Sequence, residues 1–408
     1  MAKNNDVISC IDVGTTKVCS IMARAGHGHD LQVLGVGIAP SRGLHKGLVV
    51  NIPEAKRSIQ ASVRRAEQAS GLKMDSAYVG VTGRHVNSLN KRGVVSINRG
   101  DKLVRNDDLR RVLRAARTVN VPADRKLLHV IPRGYALDGQ EGVRDPVGMH
   151  GFRLDVETHI ITAAVASVQN LVKCIRGVGI DIEDLVLEPL ASGESVLRLD
   201  ERDAGVVLAD IGGGTTDVAV FKDGSIWHTA ILPVAGYQIT RDIAIGLGLP
   251  FDVAEEMKKK YGSVIPLYDG KEKDPSTLRI ENGYSVPYQE LCEIVRARFE
   301  EVIKLIALEI PGSESIKDVP GGLVLTGGSS NLMGVDILAE EVLGLPARIG
   351  VPTGVYGLAD VLPDPAHATG VGLLLWGTRG YGSEGSWQTG TLGGALKRMM
   401  SRVKKLIS

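Results

Sequence analysis

Aromatic residues and net charge are both scarce in this sequence. Phe, Trp and Tyr together make up 4% of the 408 residues, too few for a surface that binds nucleic acid by stacking on its bases. The net charge is only +1, so the chain as a whole offers no basic field to a polyanion. The four cysteines, at positions 10, 19, 174 and 292, have neither metal-ligand nor disulfide spacing. We expect them to be buried apolar residues of a cytosolic protein.

Long hydrophobic runs are also missing. No segment approaches the roughly 18 consecutive apolar residues of a membrane-spanning helix. The first residues, M-A-K-N-N-D, lack the apolar centre of a signal peptide. A length of 408 residues with 43% hydrophobic content is instead typical of a globular protein with two or more subdomains.

A glycine-rich turn stands near the middle of the chain. Residues 208–220, L-A-D-I-G-G-G-T-T-D-V-A-V, predict a strand, a tight turn and a second strand. Glycines let backbone N–H groups approach an anion closely, so Gly212, Gly213, Gly214 and Thr215 are candidate phosphate ligands. Asp210 and Asp217 would repel a phosphate unless a divalent cation lies between them. The alternative is a purely structural turn capped by aspartates.

The same pattern occurs near the N-terminus. Residues 10–22, C-I-D-V-G-T-T-K-V-C-S-I-M, again predict a strand, a turn and a strand. Two such turns, roughly two hundred residues apart, favour a repeated architecture in which both clamp one nucleotide. The phosphate candidates here are Gly14, Thr15, Thr16 and Lys17, although Lys17 alone is also compatible with a solvated lysine. Asp12, Asp210 and Asp217 are the candidate Mg²⁺ ligands, mostly through water.

Paired turns followed by L-T-G-G-S-S at residues 325–330 resemble the actin, heat-shock chaperone and sugar-kinase ATPase superfamily. Within it the sequence most resembles the FtsA family of bacterial actin-like cell division proteins, over essentially its whole length. The resemblance is carried by I-D-V-G-T-T-K, V-I-P-R-G-Y-A-L-D-G, D-P-V-G-M-H-G, L-E-P-L-A-S, D-I-G-G-G-T-T-D and a basic C-terminal segment. It implies an α/β actin-like ATPase fold with two ribonuclease-H-like halves around a nucleotide cleft.

The resemblance also implies a division into subdomains. The first actin-like half takes residues 1–83 and 159–200, with an inserted small α/β subdomain at 84–158. The second half takes 201–233 and 320–376, and a subdomain that contacts nucleotide and the FtsZ tail takes 234–319. A flexible linker (377–390) and an amphipathic helix (391–408) follow. Inside the insert, the sequence predicts a strand at 93–98, a helix at 106–119 and Pro- and Gly-rich connectors across 131–151.

Three further groups of residues are expected around the nucleotide. Glu188 follows a predicted strand and either orients the attacking water or favours a helix dipole. Glu255 and Lys258 share a helix face, and the resemblance implies that they reach the ribose and adenine; the alternative is a surface ion pair worth about 0.2–0.5 kcal/mol. The turn Gly327, Gly328 and Ser329 is expected to lie flat against the base. A helix beginning at Asn331 would add unpaired N–H groups.

A long predicted helix, residues 288–310, carries several basic residues. The resemblance implies that this subdomain receives the acidic C-terminal tail of FtsZ, with Arg298 as the first candidate contact and Arg296 as the second. Two arginines on a helix are otherwise usually solvated.

The C-terminal segment is basic and amphipathic. Seven apolar residues fall within an arc of roughly 120° on a helical projection, and five basic residues occupy the rest. They are Leu392, Leu396, Met399, Met400, Val403, Leu406 and Ile407, and Lys397, Arg398, Arg402, Lys404 and Lys405 respectively. Such a helix is expected to lie in an anionic membrane interface. The alternatives are docking on its own body or on a partner protein.

The resemblance, together with the amphipathic C-terminal segment, implies a peripheral membrane protein at the cytoplasmic face of the bacterial division septum. It would bind Mg-ATP with slow or absent hydrolysis, polymerise, anchor FtsZ filaments and recruit later divisome membrane proteins. A small-molecule kinase of the same fold and a PilM-like cytoplasmic scaffold of pilus assembly are the alternatives. The basic tail disfavours both, and no residue is marked as the base that a kinase needs.

Overall fold

Two mixed sheets with the same strand pattern form the body of the chain in the computed structural model. The structure describes residues 7–25, 30–118, 121–265, 277–279, 284–310, 319–358 and 360–379. The predicted linker lies almost wholly, and the amphipathic helix entirely, outside the described residues. Within these ranges, no helix is long and apolar enough to cross a membrane.

The strands and helices follow each other along the whole described chain. In chain order the strands are β1 (Val7–Val13), β2 (Lys17–Ala25), β3 (Leu31–Pro40), β4 (Leu44–His45), β5 (Leu48–Val49), β6 (Ser76–Val81), β7 (Val86–Ser96), β8 (Arg125–Leu137), β9 (Gln140–Val143), β10 (Arg153–Ala164), β11 (Asp181–Leu187), β12 (Val206–Ile211), β13 (Thr216–Lys222), β14 (Ser225–Leu232), β15 (Thr277–Arg279), β16 (Ser285–Pro287), β17 (Leu323–Thr326), β18 (Ala347–Ile349) and β19 (Val355–Gly357). The helices are α1 (Ile52–Ser70), α2 (Asn106–Arg117), α3 (Val165–Arg176), α4 (Glu188–Val196), α5 (Leu199–Ala204), α6 (Gly236–Gly246), α7 (Phe251–Tyr261), α8 (Tyr288–Leu308), α9 (Val335–Leu343) and α10 (Ala368–Arg379).

The two sheets repeat one arrangement. The first has the order β11-β6-β1-β2-β3-β19 and the second the order β14-β13-β12-β17-β18. In each, an antiparallel hairpin (β1–β2 or β12–β13) lies beside a parallel strand (β6 or β17). The two glycine turns therefore occupy equivalent positions, as the sequence repeat predicts.

Helix α1 shows how local sequence sets an element. Asn51 caps it by accepting a hydrogen bond from the Glu54 N–H at 3.2 Å, and Gly71 ends it at a φ of +68°. The helix packs tightly on β3, because an ideal Cβ on Gly37 would lie only 2.0 Å from the Ser62 carbonyl oxygen. A larger residue at position 37 would push this helix off the first sheet.

A third sheet, β7-β10-β8-β9, forms the inserted region with α2 packed on it. The expected Pro- and Gly-rich connectors across 131–151 are wrong in part, because residues 125–137 form the long strand β8. Pro132 is accommodated where the register with β10 shifts between Glu157 and Thr158, a bulge that relieves the missing N–H. The strand predicted at 93–98 is observed as β7, which is longer and begins earlier. The helix predicted at 106–119 is observed as α2, which ends before residue 118.

The expected helix beginning at Asn331 is wrong. Gly328–Asn331 is a single 3₁₀ turn, and α9 begins only at Val335, after Gly334 at a φ of +80°. The intervening chain is extended because Met333 pairs with Ser263, and the Met333 carbonyl accepts from the Val264 N–H at 3.0 Å. The turn thus lacks a following helix N-terminus.

Candidate functional site

The two glycine turns face each other directly. An ideal Cβ at Gly213 would lie 2.3 Å from Thr16 Cγ2, and one at Gly214 would lie 2.5 Å from Thr15 Oγ1. Glycine is therefore required on the second turn because threonines of the first turn occupy the space. This places the predicted phosphate residues, Gly14, Thr15, Thr16, Gly212, Gly213, Gly214 and Thr215, around one junction between the two halves.

Backbone and side-chain contacts hold the second turn in place. It closes on itself through the Gly212 N–H, which donates to the Thr215 carbonyl at 2.9 Å. The Gly212 carbonyl accepts from the Gly236 N–H at 3.1 Å and from Ser329 Oγ at 2.8 Å. Ser329, predicted to contact the base, thus supports the phosphate turn, and α6 begins against it.

Four carboxyl groups gather at the junction: Asp12, Glu188, Asp210 and Asp217, each at most 8% exposed. Burial raises the pKa of Asp12 to about 7, with the Lys17 charge opposing the shift and Asp210 adding to it. Burial also raises the pKa of Asp217 to about 7, partly opposed by the Thr82 hydrogen bond. The pKa of Glu188 is raised well above its usual value by burial and then by the three aspartates. Such crowding favours protons or a bound cation.

Three hydroxyl groups that sequence reasoning missed support these carboxylates. Asp210 accepts from Ser192 Oγ and from Thr369 Oγ1, the latter at 3.0 Å, and Asp217 accepts from Thr82 Oγ1. Ser192 lies within the quoted motif L-E-P-L-A-S, so its polar position after Glu188 was a usable signal. Nothing in the local sequence marks Thr82 or Thr369.

The Lys17 side chain contacts two residues that the sequence analysis does not predict, Ala366 and His367. Its ammonium donates to the Ala366 carbonyl at 2.5 Å and contacts His367 Nδ1 at 3.1 Å. Both residues stand immediately before α10. Lys17 is therefore held by the protein and is not simply a solvated lysine.

Glu255 and Lys258 form more than a surface ion pair. Lys258 Nζ lies 2.7 Å from Glu255 Oε2, and the Lys258 side chain is only 9% exposed. The ammonium also donates to Thr240 Oγ1 at 2.8 Å and to the Gly236 carbonyl at 3.1 Å. Burial lowers the pKa of Lys258. Burial would raise the pKa of Glu255, but the charge of Lys258 and the hydrogen bonds from Lys258, Thr240 and Lys259 together outweigh it and lower that pKa. The pair sits beside the second turn, since an ideal Cβ at Gly236 would lie 3.4 Å from Lys258 Nζ.

The two glycine turns and the aspartates beside them fit a phosphate with a divalent cation, but the aspartates do not form a complete set of metal ligands. Across the described ranges, no three His, Cys, Asp or Glu side chains lie together in a metal-binding arrangement. Direct ligation by Asp12, Asp210 and Asp217 together is thus not what the geometry offers. Carboxylate oxygens are nevertheless the ligands that Mg²⁺ prefers, and the pKa values of Asp12 and Asp217 are raised mainly by burial, a cost to the charged form that a nearby cation would offset. A hydrated ion remains the form that matches them.

The two arginines expected to receive an acidic tail are both engaged within the chain. Arg298 pairs with Asp242 and Glu301, and Arg296 bonds Glu341 bidentately at 2.8 Å. Their side chains are 26% and 33% exposed. A tail that binds here would have to exchange these ion pairs.

A cavity of about 1150 Å³ lies away from the glycine turns, between the inserted sheet and the second half. It is lined by β8, β14 and parts of α4 and α10. Arg133 stacks on the Trp227 ring at 4.0 Å along its wall. Its lining does not include the four carboxyl groups at the junction, so the cavity is separate from the carboxylate site.

The twofold sheet pattern and its opposed turns define an actin-like ATPase fold. The chain is similar to a solved structure of the PilM-PilN type IV pilus biogenesis complex, with a TM-score of 0.66, 18% identity, and coverage of 91% of this chain and 98% of that one. It is also similar to MreB5 of Spiroplasma citri bound to ADP, with a TM-score of 0.55, 14% identity, and coverage of 92% and 97%. At these identities the likeness shows the fold alone.

Sequence comparison narrows this class. The model of cell division protein FtsA matches residues 207–372, and that of the SHS2 domain inserted in FtsA matches residues 83–162. Cell division protein FtsA of Pseudomonas aeruginosa is 43% identical over 92% of this chain and 90% of its own length. The protein of the same name from Neisseria meningitidis serogroup B is 37% identical over 100% and 99%. The chain belongs to the FtsA family of cell division proteins.

Proposed function

We propose that this FtsA-family chain binds Mg-ATP between its two halves, polymerises and tethers FtsZ filaments to the cytoplasmic face of the membrane at the septum. The observation that carries the nucleotide part is the pair of facing glycine turns with four buried carboxyl groups between them. Phosphates would be held by both turns and Lys17, the ribose and adenine by Glu255, Lys258 and the turn Gly327–Ser329. The aspartates would hold hydrated Mg²⁺, which would balance their charge.

The subdomain boundaries given above complete this proposal, with the insert at 84–158 as the candidate region for recruiting later divisome membrane proteins. The cavity at its base supplies a surface for such contacts. Glu188, packed within 3.3 Å of the ideal Cβ position of Gly80, would orient a water for slow hydrolysis. The identity of 43% with cell division protein FtsA of Pseudomonas aeruginosa favours this proposal over a small-molecule kinase of the same fold.

The membrane part of the proposal depends on the C-terminal sequence. Each basic residue near an anionic surface contributes about 1 kcal/mol, and burial of the apolar arc adds to that. Ordering eighteen residues offsets much of this gain, so a single tail should bind weakly and reversibly. Polymerisation would convert many weak tails into firm attachment through avidity.

Flotation with anionic liposomes tests this part. Full-length protein should float, more strongly with Mg-ATP, and a variant that ends at Gly390 should stay in solution. Val403→Glu, in the apolar arc, should abolish flotation, whereas Ser401→Glu, on the opposite side of the projected helix, adds the same charge with less effect. Equal behaviour of full-length and shortened protein would refute the membrane tether.

The FtsZ contact is tested separately with a peptide of the acidic FtsZ tail. Arg298→Ala should weaken peptide binding more than Arg296→Ala, because it leaves two carboxylates, Asp242 and Glu301, without a positive partner beside the acidic peptide, whereas Arg296→Ala leaves only Glu341. Lys304→Ala, on the same helix and 63% exposed, is the matched control. Equal loss in all three variants would indicate only non-specific charge attraction.

A further inference from the structure

The segment between β19 and α10, together with the first turn of α10, contacts residues at the base turn and at both phosphate turns. The Pro365 carbonyl accepts from the Gly327 N–H at 3.0 Å, and Asp364 accepts from Asn331 Nδ2 at 2.8 Å. At the other end, Thr369 donates to Asp210. Residues 364–369 thus join the base turn to the second phosphate turn.

The first phosphate turn reaches the same segment through one side chain. Lys17 Nζ contacts the Ala366 carbonyl at 2.5 Å and His367 Nδ1 at 3.1 Å. A lysine ammonium has three donors, and two of them are used here. One N–H is left for an incoming phosphate oxygen.

His367 is suited to hold an ammonium. It is only 7% exposed, and burial with the Lys17 charge lowers its pKa to about 4. The neutral ring therefore offers Nδ1 as an acceptor at physiological pH, with the proton on Nε2. Its backbone is fixed because the His367 N–H donates to the Asp364 carbonyl at 2.9 Å and Asp364 Oδ1 accepts from the Ala366 N–H at 2.7 Å.

Lys17 acts on the carboxylates from this position. Its charge opposes the raised pKa of Asp12 and of Asp210, one aspartate on each side of the junction. An ammonium that rotated freely would lose this central placement. Its lysine stem would also have several rotamers to give up on binding phosphate.

We propose that His367 is a positioning residue that fixes the Lys17 ammonium between the two phosphate turns, so that the nucleotide meets a preorganised cation. This inference rests on the proposed binding of Mg-ATP. It assigns to the segment before α10 a role in recognising the phosphate chain.

The test combines three substitutions with titrations of Mg-ATP. His367→Phe keeps a ring but removes the acceptor, and should raise the Kd about tenfold, the loss expected for one hydrogen bond to a charged group. His367→Asn places an oxygen near the position of Nδ1 and should restore the Kd to within about threefold of the original protein, since most of that bond is regained. His150→Phe, at an exposed position of the insert, controls for the exchange itself.

A double-mutant cycle separates positioning from mere packing. In a Lys17→Met background, His367→Phe should cause no further loss of Mg-ATP binding, because the group it acts through is gone. An equal loss in both backgrounds, or a failure of His367→Asn to restore binding, would overturn the inference.

A second readout needs no nucleotide. In the nucleotide-free protein, an amine-reactive reagent followed by mass spectrometry should label Lys17 faster in His367→Phe than in the original protein or in His367→Asn. Equal labelling rates in all three would overturn the positioning role. If the three proteins show the expected order of labelling rates but the original protein does not bind Mg-ATP, the proposed function fails, while the labelling still shows that His367 holds Lys17.

Discussion

The two phosphate turns share a backbone pattern but differ in what they present to each other. The first carries Thr15, Thr16 and Lys17, whereas the second is bare at Gly213 and Gly214. The two turns are complementary in shape, because a Cβ on either glycine would collide with a threonine of the first turn. One half of the molecule supplies side chains and the other supplies backbone without side chains.

Their supports differ in the same way. The first turn is anchored through side chains, with Lys17 on the segment before α10 and Thr15 Oγ1 accepting from the Gly47 N–H at 3.2 Å. The second turn is anchored mainly through its carbonyls, which accept from the Gly236 and Tyr237 N–H groups and from Ser329. A repeated fold has therefore diverged into a half that positions charge and a half that positions backbone.

The strongest way to break this complementarity is to add a methyl group to the second turn. Gly213→Ala should lower Mg-ATP affinity by about fivefold or more, because the clash with Thr16 Cγ2 forces the turns apart at a cost of about 1–3 kcal/mol. Isothermal titration measures the loss. Thr16→Ser removes Cγ2 and should restore most of the affinity in the double variant. Gly100→Ala, where a Cβ meets nothing within 4 Å, is the control. Full affinity in Gly213→Ala would show that the turns are not packed as described.

The next comparison concerns the aspartates of the two turns. Asp12 and Asp217 have an ordinary pKa of 3.8 and a pKa of about 7 in the folded protein. The nucleotide-free folded state therefore binds more protons than the unfolded chain between these pH values. The contribution of these two carboxyl groups to stability should fall as the pH rises from about 4 to about 7 and then level off.

Replacing either aspartate should remove part of this slope. Asp217→Asn and Asp12→Asn are each expected to raise the free energy of unfolding at pH 7.5 by about 1–2 kcal/mol without Mg²⁺. Urea unfolding from pH 4 to pH 8 measures it, with Asp200→Asn, 75% exposed, as a control. Added Mg²⁺ should stabilise the original protein more than either variant. An unchanged slope in both variants would contradict the crowding of carboxyl groups.

The smallest effects are expected from removing single hydrogen bonds that anchor the two phosphate turns. Ser329→Ala removes one hydrogen bond to Gly212, and Thr15→Val removes the acceptor of the Gly47 N–H. Each should cost about 1 kcal/mol of stability. Thermal unfolding with and without Mg-ATP measures both. If the turn Gly327–Ser329 also contacts the base, Ser329→Ala should lower nucleotide affinity more than Thr15→Val does. Equal losses of affinity in Ser329→Ala and Thr15→Val would contradict a contact between this turn and the base.

Elements with local sequence signals could be predicted from the sequence. The two D-x-G-x-T turns lie between strands as predicted, because glycine and alternating apolar residues act on their immediate neighbours. Helix α1 begins and ends where Asn51 and Gly71 provide its caps. The two-half architecture followed from the repeat, and the family followed from motifs spread along the chain.

The polar side chains that surround those turns are set by the packing of distant parts of the chain. Thr82 meets Asp217 across 135 positions, Thr369 meets Asp210 across 159, and Lys17 meets His367 across 350. No local pattern encodes such contacts, because they arise when packed sheets bring distant strand ends together. For the same reason the sequence predicts connectors where residues 131–137 of β8 lie: Pro132 and Gly134 disfavour a strand locally, and pairing with β10 outweighs that preference.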